Sequence, residues 1–336
     1  MMKVFVIGGA GYVGSHFVLE ALRQGFEVTV YDNLSTGHRD AVPLEVSFIE
    51  GNILNEKLLT DSLKETRPDV VFHYAALALV GESVTKPGLY YQNNVDGTRS
   101  MLDGIIAAGL NCPVVFSSTC AIFGSPDQLP INESAPKQPE SPYGFTKFAC
   151  ESLLKDYVKA HNMRVSPIRY FNACGADASG QIGELHNPET HLIPNLLRKI
   201  IAGEQLTLFG NDYPTRDGTN VRDYIHVTDL AVSHIEAAKY LLSCEDPIFE
   251  PFNLGTGDGY TTLEIVKSAE KVLGKNSNYV FGPRRDGDAV ALYADNQKAR
   301  SILKFEPSHS SLENILKTAW MWHSSGEKFF DKENNR

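Results

Sequence analysis

No two cysteines in this sequence stand at C-x-x-C spacing. The five present, Cys112, Cys120, Cys150, Cys174 and Cys244, are odd in number and scattered, which argues against a disulfide framework or a structural zinc site and suits a reducing cytoplasm. Long apolar runs are missing as well. The N-terminal run 4–7 breaks into glycine too early for a signal segment, and no other stretch reaches the length that crosses a bilayer. Positive charge is in deficit: 31 Lys and Arg against 41 Asp and Glu leave a net charge of −10. Nucleic acid and anionic membrane surfaces are therefore repelled at long range, and any anionic ligand must be held by local donors. The chain also lacks internal repeats, low-complexity tracts and long charge runs.

What is present is a globular chain of 336 residues, 42% hydrophobic, enough for one large or two modest domains. Short apolar runs at 4–7, 28–31, 46–49, 70–74 and 114–116 read as buried strands. They alternate with helical periodicity at 12–24, 55–64, 90–108 and 143–161, with Gly25 and Gly109 placed as C-terminal caps. This rhythm predicts α/β architecture, a Rossmann-type doubly wound parallel sheet over 1–175. A further strand at 164–170 contains Pro167, which cannot donate to a central ladder, so a defect is expected there. Beyond Gly175 the texture becomes rich in Gly, Pro, Asn and Asp, which predicts a smaller loop-rich substrate domain over 176–336. The stretch 222–255, with a helix at 227–242 and a strand at 252–254, is expected to return to the first domain. The polar tail 324–336 reads as a frayed terminus.

The first strand runs into Gly8-Gly-Ala-Gly11-Tyr12-Val13-Gly14, a glycine-rich turn opening a helix. Gly8 would make the turn, Gly11 would let backbone approach a pyrophosphate, and Gly14 would permit close helix–strand packing. Eighteen residues after Gly14, at the end of the second strand, stands Asp32. A carboxylate there accepts hydrogen bonds from ribose hydroxyls and repels a 2′-phosphate, so NAD is favoured over NADP.

Tyr143 and Lys147 lie four apart in Ser141-Pro-Tyr143-Gly-Phe-Thr-Lys147, on one face of an opening helical turn. A tyrosine that works as a base at neutral pH needs its phenolate stabilised by about 4 kcal/mol, and a nearby cation supplies part of that. Thr119 closes the fifth strand in Ser117-Ser118-Thr119, 24 residues before Tyr143. A hydroxyl at a strand edge followed by Tyr-x-x-x-Lys resembles the extended short-chain dehydrogenase/reductase superfamily. Asp32-Asn33-Leu, Asn93-Asn-Val-Asp-Gly-Thr, Arg169-Tyr-Phe-Asn172, Val221-Arg-Asp-Tyr-Ile-His, Asn253-Leu-Gly-Thr-Gly and Pro283-Arg-Arg-Asp-Gly-Asp288 narrow it. In order and spacing they resemble the UDP-glucose 4-epimerase family over residues 3–320.

The resemblance implies an enzyme with retained NAD that interconverts UDP-glucose and UDP-galactose through a 4-keto sugar. Tyr143 would take the C4 hydroxyl proton, Lys147 would hold ribose hydroxyls and depress the tyrosine, and Thr119 would bond near O4. It also implies cofactor contacts from Asn33, Asn52, Ile53, Tyr74, Ala75, Ala76, Asn93, Ser117, Tyr170 and Phe171, besides the turn residues Gly8, Gly11, Tyr12, Val13 and Gly14. Substrate contacts are implied for Ser118, Asn172, His191, Leu192, Phe209 and Tyr224. Arg222 and Arg285 are implied for the diphosphate and Asp288 for the uridine ribose. For both arginines ordinary ion pairing is the competing reading.

Three departures stand out. Ala78 replaces a cofactor-touching lysine, His191 replaces a substrate-touching asparagine, and Leu292 stands where glucose-restricted members carry tyrosine, which implies room for UDP-N-acetylglucosamine or a UDP-pentose. His186 and His191 beside Glu184 and Glu189 invite a metal, but no second histidine pair stands at ligand spacing, so none is expected. Stripes formed by Leu102, Ile105, Ile106, Leu153, Leu154 and Tyr157 resemble a dimer bundle, and a homodimer is the expectation; core packing would produce the same pattern. Of the competing activities, a 4,6-dehydratase would need Asp-Glu after Thr119, where this chain has Cys120-Ala121. A nucleotide sensor would have lost the catalytic trio.

Overall fold

The apolar runs become the interior of a parallel sheet because strands covered by helices on both faces cannot alternate with polar residues. In the computed structural model, which describes residues 1–285 and 288–330, the strands are β1 (Lys3–Ile7), β2 (Glu27–Asp32), β3 (Ser47–Glu50), β4 (Val70–His73), β5 (Val114–Thr119), β6 (Arg164–Tyr170), β7 (Asn172–Cys174), β8 (Gln205–Phe209), β9 (Val221–His226), β10 (Ile248–Phe249), β11 (Phe252–Leu254), β12 (Gly259–Thr261), β13 (Asn278–Gly282) and β14 (Ala291–Leu292). Asp286 and Gly287 of the Pro283–Asp288 motif and residues 331–336 of the tail lie outside the described residues. The main sheet has eight strands in the order β10-β6-β5-β4-β1-β2-β3, with β11 also on β6, and every pairing in it is parallel. The order reverses between β1 and β4, and the crevice beyond the carboxyl ends of strands at such a reversal is where ligands bind.

One face of the sheet is covered by the helices Tyr12–Arg23 and Val227–Ser243, through Phe17, Val18, Leu230 and Ile235. The other is covered through Leu59, Leu63, Met101, Ile105, Leu154 and Val158. Leu102, Ile105 and Leu154 of the proposed dimer stripes are thus core residues against the sheet, whereas Ile106 is 37% exposed. Among the described residues no helix is long and apolar enough to cross a membrane.

Pro167 sits in β6 opposite Phe116 of β5, and the fold accommodates it at a break in the next strand. β10 pairs with Arg164 and Val165, β11 pairs with Ile168 to Tyr170, and the interruption falls beside Ser166 and Pro167. Glu250 N–H donates to Val165 O at 2.9 Å, so Val165 and, two residues on, Pro167 direct their peptide groups toward that gap. The missing donor therefore costs no ladder bond.

The 222–255 stretch divides. Helix Val227–Ser243 and strands β10 and β11 join the main sheet, whereas β9 pairs with β12, β14 and β7 in a separate sheet. That sheet and the β8–β13 pair are backed by Ile193, Leu196, Ile265, Val266 and Leu316. The link between the two parts is short: only Phe171 separates β6 from β7.

Candidate functional site

The turn after β1 is built by absent side chains. A Cβ on Gly8, whose φ is +85°, would lie 2.3 Å from the Ala75 nitrogen, and one on Gly14 would lie 2.1 Å from the Gly8 oxygen. Both positions are closed to any larger residue. Gly11 differs, because a Cβ there would meet only the Gly8 oxygen, at an ordinary 3.6 Å. Its missing side chain leaves open space over the start of helix Tyr12–Arg23, whose N-cap is Gly11 itself, without a side-chain cap. Backbone N–H groups and the positive end of the helix dipole face that space, which suits a diphosphate.

At the end of β2 Asp32 is buried, and its Oδ2 and Oδ1 accept from the amides of Ala10 at 2.9 Å and Leu34 at 2.8 Å. Burial raises its pKa and these amides oppose the rise. Each oxygen keeps a second acceptor site, so the carboxylate can hold the turn and still take a hydroxyl.

A single cleft of about 430 Å³ is lined by Gly8, Gly11, Tyr12, Val13, Gly14, Asp32, Asn33, Ile53, Tyr74, Ala75, Ala76 and Asn93 and, at its other end, by Thr119, Tyr143, Tyr170, Phe171, Asn172 and His191. Ala78 lines it too, so a methyl group stands where a lysine contact is lost. Asn52, Ser117 and Lys147 are not on its wall. The fit to NAD rests on the open Gly11 position above a helix N-terminus, with Asp32 on the same wall.

Tyr143 is placed by a helix start that the sequence encodes. Ser141 caps Pro142–His161 by accepting the Gly144 amide at 3.1 Å, with Pro142 in the first turn. A Cβ on Gly144 would lie 2.7 Å from the Ala121 oxygen, so glycine lets the helix approach the segment after Thr119. Burial pushes the Tyr143 phenol far above its ordinary value, Tyr170 adds to the rise, and a hydrogen bond with Thr119 opposes it.

Lys147 lies beneath the cleft. Its Nζ donates to the Ser117 carbonyl at 2.7 Å and sits 4.7 Å from the centre of the Phe116 ring, and burial lowers it to about 8. The expected stabilisation of Tyr143 by Lys147 is not among the leading influences on the tyrosine, which are burial and its neighbours Tyr170, Thr119, Cys120 and Tyr90.

Other expected residues are tied to the chain itself, and of these only Asn172 lines the cleft. Ser118, expected at the substrate, donates to Glu151 at 2.6 Å in a buried group completed by Arg169. Strand alternation sends it to the face opposite Thr119. Ser117 bonds the Tyr170 hydroxyl at 2.7 Å. Asn172 donates to the Asp223 carbonyl at 2.8 Å. Leu192, Phe209, Arg222, Tyr224, Arg285 and Asp288 do not line the cleft: Tyr224 is buried in β9, and Leu192 packs in the second core. Arg222 is ion-paired with Asp288, which also accepts from Asn220 at 2.9 Å, and the Arg285 guanidinium lies 4.1 Å from the centre of the Phe209 ring.

The structure also assembles a group set aside in the sequence. Glu184 and His186 line the cleft with His191, and Glu189 stands behind them. Burial works against protonation of these histidines, yet the carboxylates raise His186 to about 9 and His191 to about 10. The signal in the sequence was the close spacing of Glu184, His186, Glu189 and His191, two carboxylates beside the histidine pair.

Comparison with known proteins now decides the family. The model of the NAD dependent epimerase/dehydratase family matches residues 4–255. The chain belongs to this family. A UDP-glucose 4-epimerase of Lactobacillus helveticus is 46% identical, over 98% of this chain and 99% of its own length. Among solved structures, a UDP-glucose 4-epimerase of Brucella ovis in complex with NAD is 44% identical at a TM-score of 0.91, covering 95% of this chain and 98% of that one. Another, from Stenotrophomonas maltophila with bound NAD and formylated UDP-arabinopyranose, is 35% identical at a TM-score of 0.93, covering 97% and 99%. The chain is accordingly an NAD-dependent epimerase.

Proposed function

We propose that the chain is a UDP-glucose 4-epimerase, interconverting UDP-glucose and UDP-galactose with NAD retained through turnover. The observation that carries this reading is that Thr119 and Tyr143 open onto the same cleft as the glycine turn. The agreement with relatives of that name over nearly their full length supports it.

NAD, when bound, supplies a reversible two-electron acceptor for C4 and a cationic ring. Tyr143 removes the proton of the C4 hydroxyl and later returns it, and Thr119 carries the hydrogen bond through which that proton moves. In the cofactor-free chain burial keeps Tyr143 a phenol, so the base depends on positive charge gathered around it once the site is filled. Lys147 remains mostly a cation at neutral pH, and it holds the strand end that carries Thr119.

Arg222 and Arg285 take the diphosphate by bidentate hydrogen bonding, and Arg222 exchanges its Asp288 partner to do so. Ser118 takes no part, and Asn172 contributes through the amide it keeps near β9. The absence of an acid pair after Thr119 disfavours elimination of water. A homodimer in the cytoplasm, where five free cysteines stay reduced, completes the reading.

Leu292 packs in one cluster with Phe171, a cleft residue, and this favours a second reading in which UDP-N-acetylglucosamine or a UDP-pentose is also accepted. Incubating the purified protein with each UDP-sugar, without added NAD, and resolving the C4 epimers tests both. Product from UDP-glucose is expected. No product from any of them overturns the activity, and turnover of UDP-glucose with none of UDP-N-acetylglucosamine or UDP-pentose overturns the broader specificity.

A further inference from the structure

We propose that Glu184, His186, Glu189 and His191 form a binding site for a zinc-type divalent transition-metal ion in the wall of the cleft. One ligand atom from each of the four lies within 4.8 Å of the others. His186 Nδ1 is 3.2 Å from Glu184 Oε1 and 3.6 Å from Glu189 Oε2, while His191 Nδ1 is 2.8 Å from Glu184 Oε1 and 3.0 Å from Glu189 Oε1. Ligands held tetrahedrally around zinc at ordinary bond lengths stand about 3.4 Å apart, and with Glu189 binding through its free Oε2 the separations of 2.8, 3.2 and 3.6 Å bracket that value.

Ordinary ion pairing leaves part of this arrangement unsatisfied. Each imidazole turns a single Nδ1 toward two carboxylates, and one N–H can satisfy only one of them. His186 Nδ1 and Glu189 Oε2 are buried without a hydrogen-bond partner, and the Glu189 side chain is only 4% exposed. A buried carboxylate oxygen left in that state is costly, and a cation at the point of convergence relieves it. Two imidazoles with two carboxylates favour zinc, nickel or iron over magnesium or calcium, which prefer all-oxygen sets.

The ligands are also held from behind. Glu189 Oε1 accepts the amides of Thr190 at 2.8 Å and His191 at 2.9 Å, and Trp322 Nε1 donates to the Glu184 carbonyl at 3.0 Å. The Tyr12 ring of the glycine turn meets His186 edge-on, 6.1 Å between centres, and His191 directly precedes the helix Leu192–Ala202. A bound ion would fasten the wall beside the glycine turn to that helix. This inference does not depend on the proposed reaction.

The test uses full-length, tag-free protein stripped with a chelator and titrated with zinc chloride by calorimetry, with cobalt(II) absorption as a second probe. One ion per chain and visible cobalt bands of a nitrogen- and oxygen-ligated site are expected. The His186→Ala/Glu189→Gln double variant should weaken binding by more than about a hundredfold, beyond what loss of outer-shell partners costs. Absence of binding by the wild type overturns the proposal, as does binding that survives in a folded double variant. Should that variant fail to fold, X-ray absorption of the zinc-loaded wild type decides: imidazole scattering supports the site, and its absence or sulfur scattering overturns it.

Discussion

The glycine-turn end of the cleft and the arginine groups beyond its wall are prepared to different degrees. At the glycine turn the backbone is packed to its limit, with Gly8 and Gly14 each less than one side chain from a neighbouring peptide, and the gap above Gly11 is left by that packing. Off the cleft wall, the arginines proposed for the diphosphate are engaged with the chain itself: Arg222 with Asp288, and Arg285 over Phe209. A site that keeps its ligand can be rigid and closed to substitution. On the proposed reading, one that must bind and release a diphosphate can hold its guanidinium groups on partners that are given up in exchange.

That contrast can be broken by substitution. The largest effect is expected from Gly14→Ala, whose methyl group collides with the Gly8 carbonyl. It should destabilise the protein by more than about 3 kcal/mol and abolish NAD retention, whereas Gly11→Ala should lose the cofactor and melt near the cofactor-free wild type. Equal melting of the two variants would show that the turn is not packed to its limit. Tyr143→Phe should lower turnover at least about a hundredfold with NAD still bound, and a near-normal rate would remove Tyr143 from the chemistry.

Next in size is a pH effect. The pKa of Lys147 falls from 10.5 to about 8 in the folded chain, so folding penalises its charged form. The penalty is complete below pH 8 and gone above about 10.5. Cofactor-free Lys147→Met should therefore be more stable than wild type at pH 7, on the order of 2 kcal/mol, with the difference shrinking toward pH 10 in denaturant titrations. An unchanging difference would mean that Lys147 is not charged beneath the cleft.

The smallest effect is expected from Arg222→Ala. Because its pair with Asp288 is partly exposed, stability should change by less than about 1 kcal/mol, while KM for the UDP-sugar rises about tenfold, equivalent to roughly 1.4 kcal/mol. A large loss of stability with unchanged KM would make the pair structural.

Much of the main sheet was legible because its signals are local. Apolar runs, the Gly25 and Gly109 caps, Ser141 before Pro142, and glycines at a strand end all act over a few residues. Pro167 was legible as a defect, but not its remedy, since the break between β10 and β11 lies more than eighty residues further along the chain. Ser118 was misplaced although strand alternation from Thr119 predicts its direction. The tie of Lys147 to the Ser117 carbonyl and the Arg222–Asp288 pair span 30 and 66 residues, and no spacing rule reaches that far. The stretch 222–255 was read as one return, but β9 belongs to the second sheet because its partners β7, β12 and β14 lie outside the main one.

By itself the sequence determined the layered α/β architecture, the glycine turn with Asp32, and the helix that presents Tyr143, since each follows from backbone freedom, hydrophobic period and capping within a short segment. Only the tertiary structure decided which charged groups meet. It put Lys147 under β5 rather than on the wall, paired Arg222 with Asp288, and turned two histidines and two glutamates toward one point. Coulombic and hydrogen-bond energies depend on distances that the chain acquires only after its distant segments have packed.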